Sequence, residues 1–91
     1  MNKAELITEV ANRMNMTKKD AEEAVNTVFD LIAETLAAKE KVVLSGFGTF
    51  EIKERQSRSG RNPQTGETIL ISGSQTPVFK ASKQLKDHVN E

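Results

Sequence analysis

Arg55, Arg58 and Arg61 recur every third residue, and the last is followed at once by Asn62-Pro63-Gln64-Thr65-Gly66. A guanidinium is a planar fork of permanent charge that binds phosphate bidentately and tolerates a narrow, partly dry groove. Three of them in one short segment, with Lys53 just before, suit the holding of a polyanion. Pro63 offers something different, a rigid apolar ring in polar surroundings. Two plainer readings stand beside these. Asn before Pro, with Gly shortly after, is ordinary turn chemistry, and a run of arginines is often a solvated loop. Catalytic chemistry has little to work with: His88 is the single histidine and there is no cysteine. Neither a metal site nor a nucleophile–base pair assembles from that set, so the sequence predicts no enzyme, no cofactor and no metal. Ser45-Gly46-Phe47-Gly48 is only a weak echo of a phosphate-cradling loop, and no lysine follows it.

The surroundings of the arginines decide how they must be presented. From Lys53 to Gly66, Pro63 is the only residue that is neither polar nor glycine. Such a segment cannot enter a core, so it projects or is disordered. It carries four cations (Lys53, Arg55, Arg58, Arg61) against Glu54, whereas residues 1–38 carry seven acids against four bases. The whole chain, with 13 basic and 13 acidic residues, is formally neutral. Neutrality weighs against a nucleic-acid binder, but the uneven distribution weighs for one. As a two-stranded ribbon leaving at Lys53 and returning through Ile71, the segment could reach about 30 Å from the body. An isolated ribbon is only marginally stable in water, so an anionic partner would have to order it.

The elements that position the ribbon follow from periodicity. Asn2 is an N-cap with Glu5 three residues on, and Leu6, Ile7, Val10, Ala11 and Met14 recur at helical spacing. Thr17 caps a second helix, expected to run from about Lys18 to about Ala38, with Asp20 in its first turn. Its large apolar residues Val25, Val28, Phe29, Leu31, Ile32 and Leu36 span an arc of roughly 160°, wider than one helix covers. The segment Lys41–Lys53 reads as a β-hairpin, with Gly46 and Gly48 marking a reversal or a close backbone approach. Thr68–Ile71 reads as a returning strand, Ser72–Gln75 as a loose connection, and Thr76–Lys80 as an edge strand because of Pro77. Ser82 can cap a last short helix carrying Leu85 and Val89. The expected division of this single α+β domain is a helical region at 1–38, a β-hairpin at 39–52, a projecting basic arm at 53–75, and a final strand and helix at 76–91. No secretory signal and no apolar run long enough for a membrane span is visible, which suits a soluble cytoplasmic chain.

Gly46-Phe47-Gly48-Thr49-Phe50-Glu51-Ile52-Lys53-Glu54-Arg55, then Gly60-Arg61-Asn62-Pro63-Gln64-Thr65-Gly66-Glu67, then Pro77-Val78-Phe79-Lys80-Ala81-Ser82-Lys83-Gln84-Leu85-Lys86 resemble the HU/IHF family of bacterial histone-like DNA-bending proteins, most of all HU. The likeness extends in order over nearly the whole chain. It implies an intertwined homodimer with a helical base, a three-stranded antiparallel sheet and two β-ribbon arms lying in the minor groove of double-stranded DNA. Pro63 would be the intercalating wedge. Lys53, Arg55, Arg58, Arg61, Asn62 and Gln64 would contact backbone and groove floor, and Lys3, Lys80, Lys83 and Lys86 would carry the flanking DNA. The dimer core would take Val25, Val28, Phe29, Ile32, Leu36, Leu44, Phe47, Phe50 and Phe79. The body left after subtracting the arm is of a size at which a lone core is thin, which agrees with a dimer. Nucleoid compaction with weak sequence preference, favouring bent, nicked or gapped DNA, is the implied function. The rival expectations are an IHF-like sequence-preferring subunit and a helical dimerisation module that binds RNA or protein. The chain also departs from the family: Ser59 and Gln75 stand where lysine is common, and Ser72 and Ser82 where proline or glycine is frequent. Asn26 stands where an acid is common, so it cannot neutralise Lys3. Fewer phosphate contacts and a looser arm are expected.

Overall fold

The computed structural model describes residues 1–71 and 73–91, with the backbone alone for Arg58 and Ile71. The chain forms two compact units, Met1–Thr35 and Leu36–Glu91. In the first, α1 (Lys3–Met14) and α2 (Lys18–Ala37, whose last turn belongs to the second unit) are joined by Asn15–Thr17. The caps are those the sequence places. Asn2 Oδ1 accepts the Glu5 N–H at 2.9 Å, and Thr17 Oγ1 accepts the Asp20 N–H at 3.1 Å. Asn15 ends α1 in the left-handed conformation that its short polar side chain tolerates (φ 53°). Ala11, Ala21 and Val25 are buried. The larger residues of the broad α2 face are not: Val28, Phe29 and Leu31 remain 54%, 44% and 57% exposed.

The second unit contains β1 (Val42–Leu44), β2 (Gly48–Arg55), β3 (Arg58–Arg61), β4 (Thr68–Ile71), β5 (Ser74–Ala81) and α3 (Lys83–Val89). Strands β1, β2 and β5 form an antiparallel sheet in that order, and β3 pairs with β4. Alternation along β2 gives the sheet two unlike faces. Phe50 and Ile52, with their partners Val42, Phe79 and Pro77, share the apolar face. The Phe79 ring lies 4.8 Å from that of Phe50 and 5.3 Å from that of Phe47, centroid to centroid. A Cβ at Gly48 would fall 2.4 Å from the Phe79 ring and 2.6 Å from the Lys80 carbonyl oxygen, so only glycine fits. Gly46 turns β1 into β2 with φ 82°, a region that L side chains avoid. Ser82 starts α3, its Oγ accepting the Leu85 N–H at 3.1 Å and its own N–H donating to the Phe47 carbonyl at 2.9 Å.

The ribbon is more regular than its composition suggests. In the β2–β5 ladder Gly48 pairs with Ala81 and Arg55 with Ser74; in the β3–β4 ladder Arg58 pairs with Ile71 and Arg61 with Thr68. Partner numbers therefore sum to the same value throughout, so both ladders share one register. Among the described residues, Gln56 and Ser57 on one side and Gly73 on the other fall between them. At that break a Cβ on Gly73 would lie 2.5 Å from the Arg55 carbonyl oxygen, a close backbone approach. Strand β2 continues past Lys53 to Arg55, as expected of a ribbon that leaves at Lys53, because β5 supplies backbone partners whatever the side-chain polarity. One expectation is corrected. The supposedly loose Ser74 and Gln75 already belong to β5, where Gln75 Nε2 donates to Glu54 Oε1 at 2.9 Å. Ser72 lies outside the described residues. Among the described residues no helix is long and apolar enough to cross a membrane.

Candidate nucleic-acid interface

The polar face of the sheet collects the proximal cations. Thr49, Glu51, Lys53 and Arg55 alternate onto it from β2, opposite Lys80, Val78, Thr76 and Ser74 of β5. Lys53, Arg55 and Lys80 are all exposed. Lys80 is not free: its Nζ lies 2.7 Å from Glu51 Oε1, while Lys41 Nζ lies 3.8 Å from Glu51 Oε2. The Lys80 hydrogen bond, helped by the charges of Lys80 and Lys41, holds the Glu51 carboxyl below its ordinary value of 4.5. The same hydrogen bond and charge raise Lys80 above 10.5.

At the far end, the ladder closes on a four-residue loop. Asn62 donates its N–H to the Glu67 carbonyl (2.8 Å), accepts the Gly66 N–H on its own carbonyl (2.7 Å), and accepts the Gln64 N–H on Oδ1 (2.9 Å). Gly66 takes the left-handed conformation (φ 73°) that such a loop requires, and a Cβ there would meet nothing within 4 Å, so backbone conformation alone selects it. Thr65 Oγ1 accepts the Glu67 N–H at 3.3 Å. Pro63 is exposed on this hydrogen-bonded loop, with Arg61 in the last ladder pair before it. Asn62, expected as a groove contact, has its N–H, its carbonyl and its Oδ1 engaged in shaping the tip.

The remaining predicted residues are placed less tightly. Lys83 and Lys86 are exposed on α3, and Lys3 is exposed as the first residue of α1, in the other unit. The Arg58 side chain lies outside the described residues; its backbone is in β3. Of the predicted dimer core, Val25 and Leu36 are buried, Ile32 and Phe50 are half-buried, and Val28, Phe29, Leu44, Phe47 and Phe79 are exposed in the single chain. Sequence reasoning missed Lys41 and Glu51. Alternation put Glu51 on the same face as Lys53, but its contact with Lys80 depends on the β2–β5 register, which no local signal reveals. The charge separation persists in the fold: the first unit has seven acids and four bases, the second nine bases and six acids.

A two-faced antiparallel sheet extended into a basic ribbon with a proline tip defines a class of protein that grips an extended polyanion, and the comparisons with known proteins agree. The chain matches the family described as bacterial DNA-binding protein over residues 1–90, and it belongs to that family. Within it the likeness is to HU. The chain is 64% identical to DNA-binding protein HU-1 of Halalkalibacterium halodurans, over 98% of this chain and 99% of that one. It is 59% identical to DNA-binding protein HU of Streptococcus thermophilus, over 97% of each. A solved Anabaena HU–DNA cocrystal structure superposes with a TM-score of 0.81 at 40% identity, covering 98% of this chain and 97% of that one.

Proposed function

We propose that this chain is a histone-like architectural protein that binds double-stranded DNA with little sequence preference and bends it. The observation that carries this reading is the ribbon itself: two ladders in one register, basic along their length, ending in an exposed proline on a loop already shaped by Asn62. Lys53, Arg55, Arg58 and Arg61 hold phosphates and the minor-groove walls, Asn62 and Gln64 lie at the groove floor, and Pro63 enters a base step. Minor-groove wedges, this family's included, unstack a step at a cost of a few kcal/mol, offset by contacts along the bent duplex. Lys80, Lys83, Lys86 and Lys3 carry the DNA that leaves the kinks. Minor-groove edges are degenerate, so deformable, nicked or gapped DNA is preferred over any one sequence. The similarity to HU proteins disfavours an IHF-like sequence-preferring subunit and an RNA- or protein-binding module.

A second copy of the chain completes the structure. Val28, Phe29, Leu31, Phe47 and Phe79 are about half exposed in the single chain, and completing the burial of each is worth roughly half of the 1.5–3 kcal/mol gained by burying a fully exposed side chain. The helical region 1–38 serves dimerisation, 39–52 is the β-hairpin, 53–75 the DNA-binding arm, and 76–91 the final strand and helix. The setting is the bacterial nucleoid in the cytoplasm, and the chain acts without a catalytic step.

Ring closure of a short duplex tests the bend. Wild type is expected to accelerate closure, and Pro63→Ala to lose most of that acceleration with a modest loss of affinity. A Pro63→Ala protein that closes rings as fast as wild type would reduce the tip to a turn.

A further inference from the structure

The polar face of the β1–β2–β5 sheet gathers Lys53, Arg55 and Lys80, with Lys41 reaching it from just before β1. Among the described strand residues, one acid shares that face, Glu51, and both of its oxygens are occupied by lysines. Its side chain is 20% exposed, whereas those of Lys80 and Lys41 are 73% and 69% exposed. The carboxylate thus sits beneath the two ammonium groups, and a phosphate approaching them from outside meets it at close range.

We infer that Glu51 is a resident counter-anion that limits DNA affinity by offsetting the charge that Lys80 and Lys41 present to phosphate. The inference rests on the reading of this face as a DNA contact. An ammonium has three donors, so Lys80 need not release Glu51 to meet a phosphate. The cost arises in the charge: two lysines and a carboxylate present one net positive charge where two would otherwise stand. A bound phosphate also feels the carboxylate at a separation shorter than the Debye length, about 8 Å at physiological salt, so solvent ions do not screen it away. Lys80 then contributes less than a full contact to counterion release. A nearly neutral chain with a strong local brake on its basic face would bind reversibly, with the arms as its main hold.

The test is a titration of the full-length protein with a linear duplex at several salt concentrations, comparing wild type, Glu51→Gln, Lys80→Met and the double variant. Gln keeps the shape of Glu51 and removes its charge. Glu51→Gln is expected to bind on the order of threefold to tenfold more tightly, with a salt slope steeper by up to about 0.9. That gain should shrink strongly in the Lys80→Met background. Unchanged or weaker binding by Glu51→Gln would overturn the inference, since Glu51 would then be orienting the lysines and not offsetting their charge. A full gain without Lys80 would overturn it too, because the effect would be one of overall charge. If wild type itself fails to bind the duplex, the DNA reading falls; if wild type binds and Glu51→Gln gains nothing, only the Glu51 inference falls.

Discussion

The two ladders, β2–β5 proximal and β3–β4 distal, share one register and differ in what stands behind them. Proximally, β2 and β5 carry an apolar face on which Phe79 lies between Phe47 and Phe50, and Gly48 is bare so that the ring can fit. Distally, β3 and β4 have the same backbone pairing, but Gly60 lies opposite Ile69 and Ser59 opposite Leu70. Ile69 and Leu70 are 44% and 75% exposed. Backbone ladders thus set the path of the ribbon, while side-chain burial sets how firmly each half is held. A two-stranded ribbon without an apolar layer is only marginally stable alone. The proximal half is held by its apolar face, and the distal half has only its backbone ladder.

The comparison breaks first at Phe79. Phe79→Ala removes the ring that joins Phe47 to Phe50, and a core Phe→Ala change costs roughly 3–5 kcal/mol. Because Phe79 is 41% exposed in the single chain, we expect a loss near the lower end, about 3 kcal/mol. Urea denaturation at fixed protein concentration measures it, since the stability of a dimer depends on concentration. A loss below about 1 kcal/mol, the size of an ordinary point mutation, would mean that the proximal half is no better anchored than the distal one.

A substitution in the distal half should show the opposite profile. Arg61 is exposed and pairs with Thr68 in the last rung before the loop. Arg61→Ala should leave unfolding nearly unchanged and weaken binding to all duplexes alike, with the salt slope falling by about one contact. Binding isotherms at graded salt provide the measure. A drop in stability without a change in slope would place Arg61 in the structure of the arm and not at a phosphate.

Sequence and structure diverge along the same line. The caps at Asn2, Thr17 and Ser82 were readable because capping depends on residues within one turn. The hairpin glycines and the apolar alternation of Phe50 and Ile52 are also local signals. The shared register of the two ladders was not readable, since it depends on residues as much as 33 positions apart, Gly48 and Ala81, finding each other. The same limit hid the Glu51–Lys80 contact and the Gln75–Glu54 hydrogen bond, and it made a regular ribbon look irregular. Ser82 stands where the family often has proline or glycine, and its Oγ caps α3 as the local sequence indicates.

The smallest effect gives the sharpest comparison. Leu70 is a large apolar residue in a strand, and in the proximal half a residue of that kind would be core. At 75% exposed opposite Ser59 it has almost nothing to pack against. Leu70→Thr keeps a residue suited to a strand and removes the apolar bulk, so the stability of the free protein should change by less than about 0.5 kcal/mol. Thermal unfolding with and without duplex separates the two roles. A small change in both conditions means that Leu70 faces water even on DNA. A small change alone but a clear loss of DNA-induced stabilisation means that DNA, and not the protein, supplies the layer that the distal half lacks. A loss above 1 kcal/mol without DNA would show that this half has packing of its own, and the contrast between the two halves of the arm would fail.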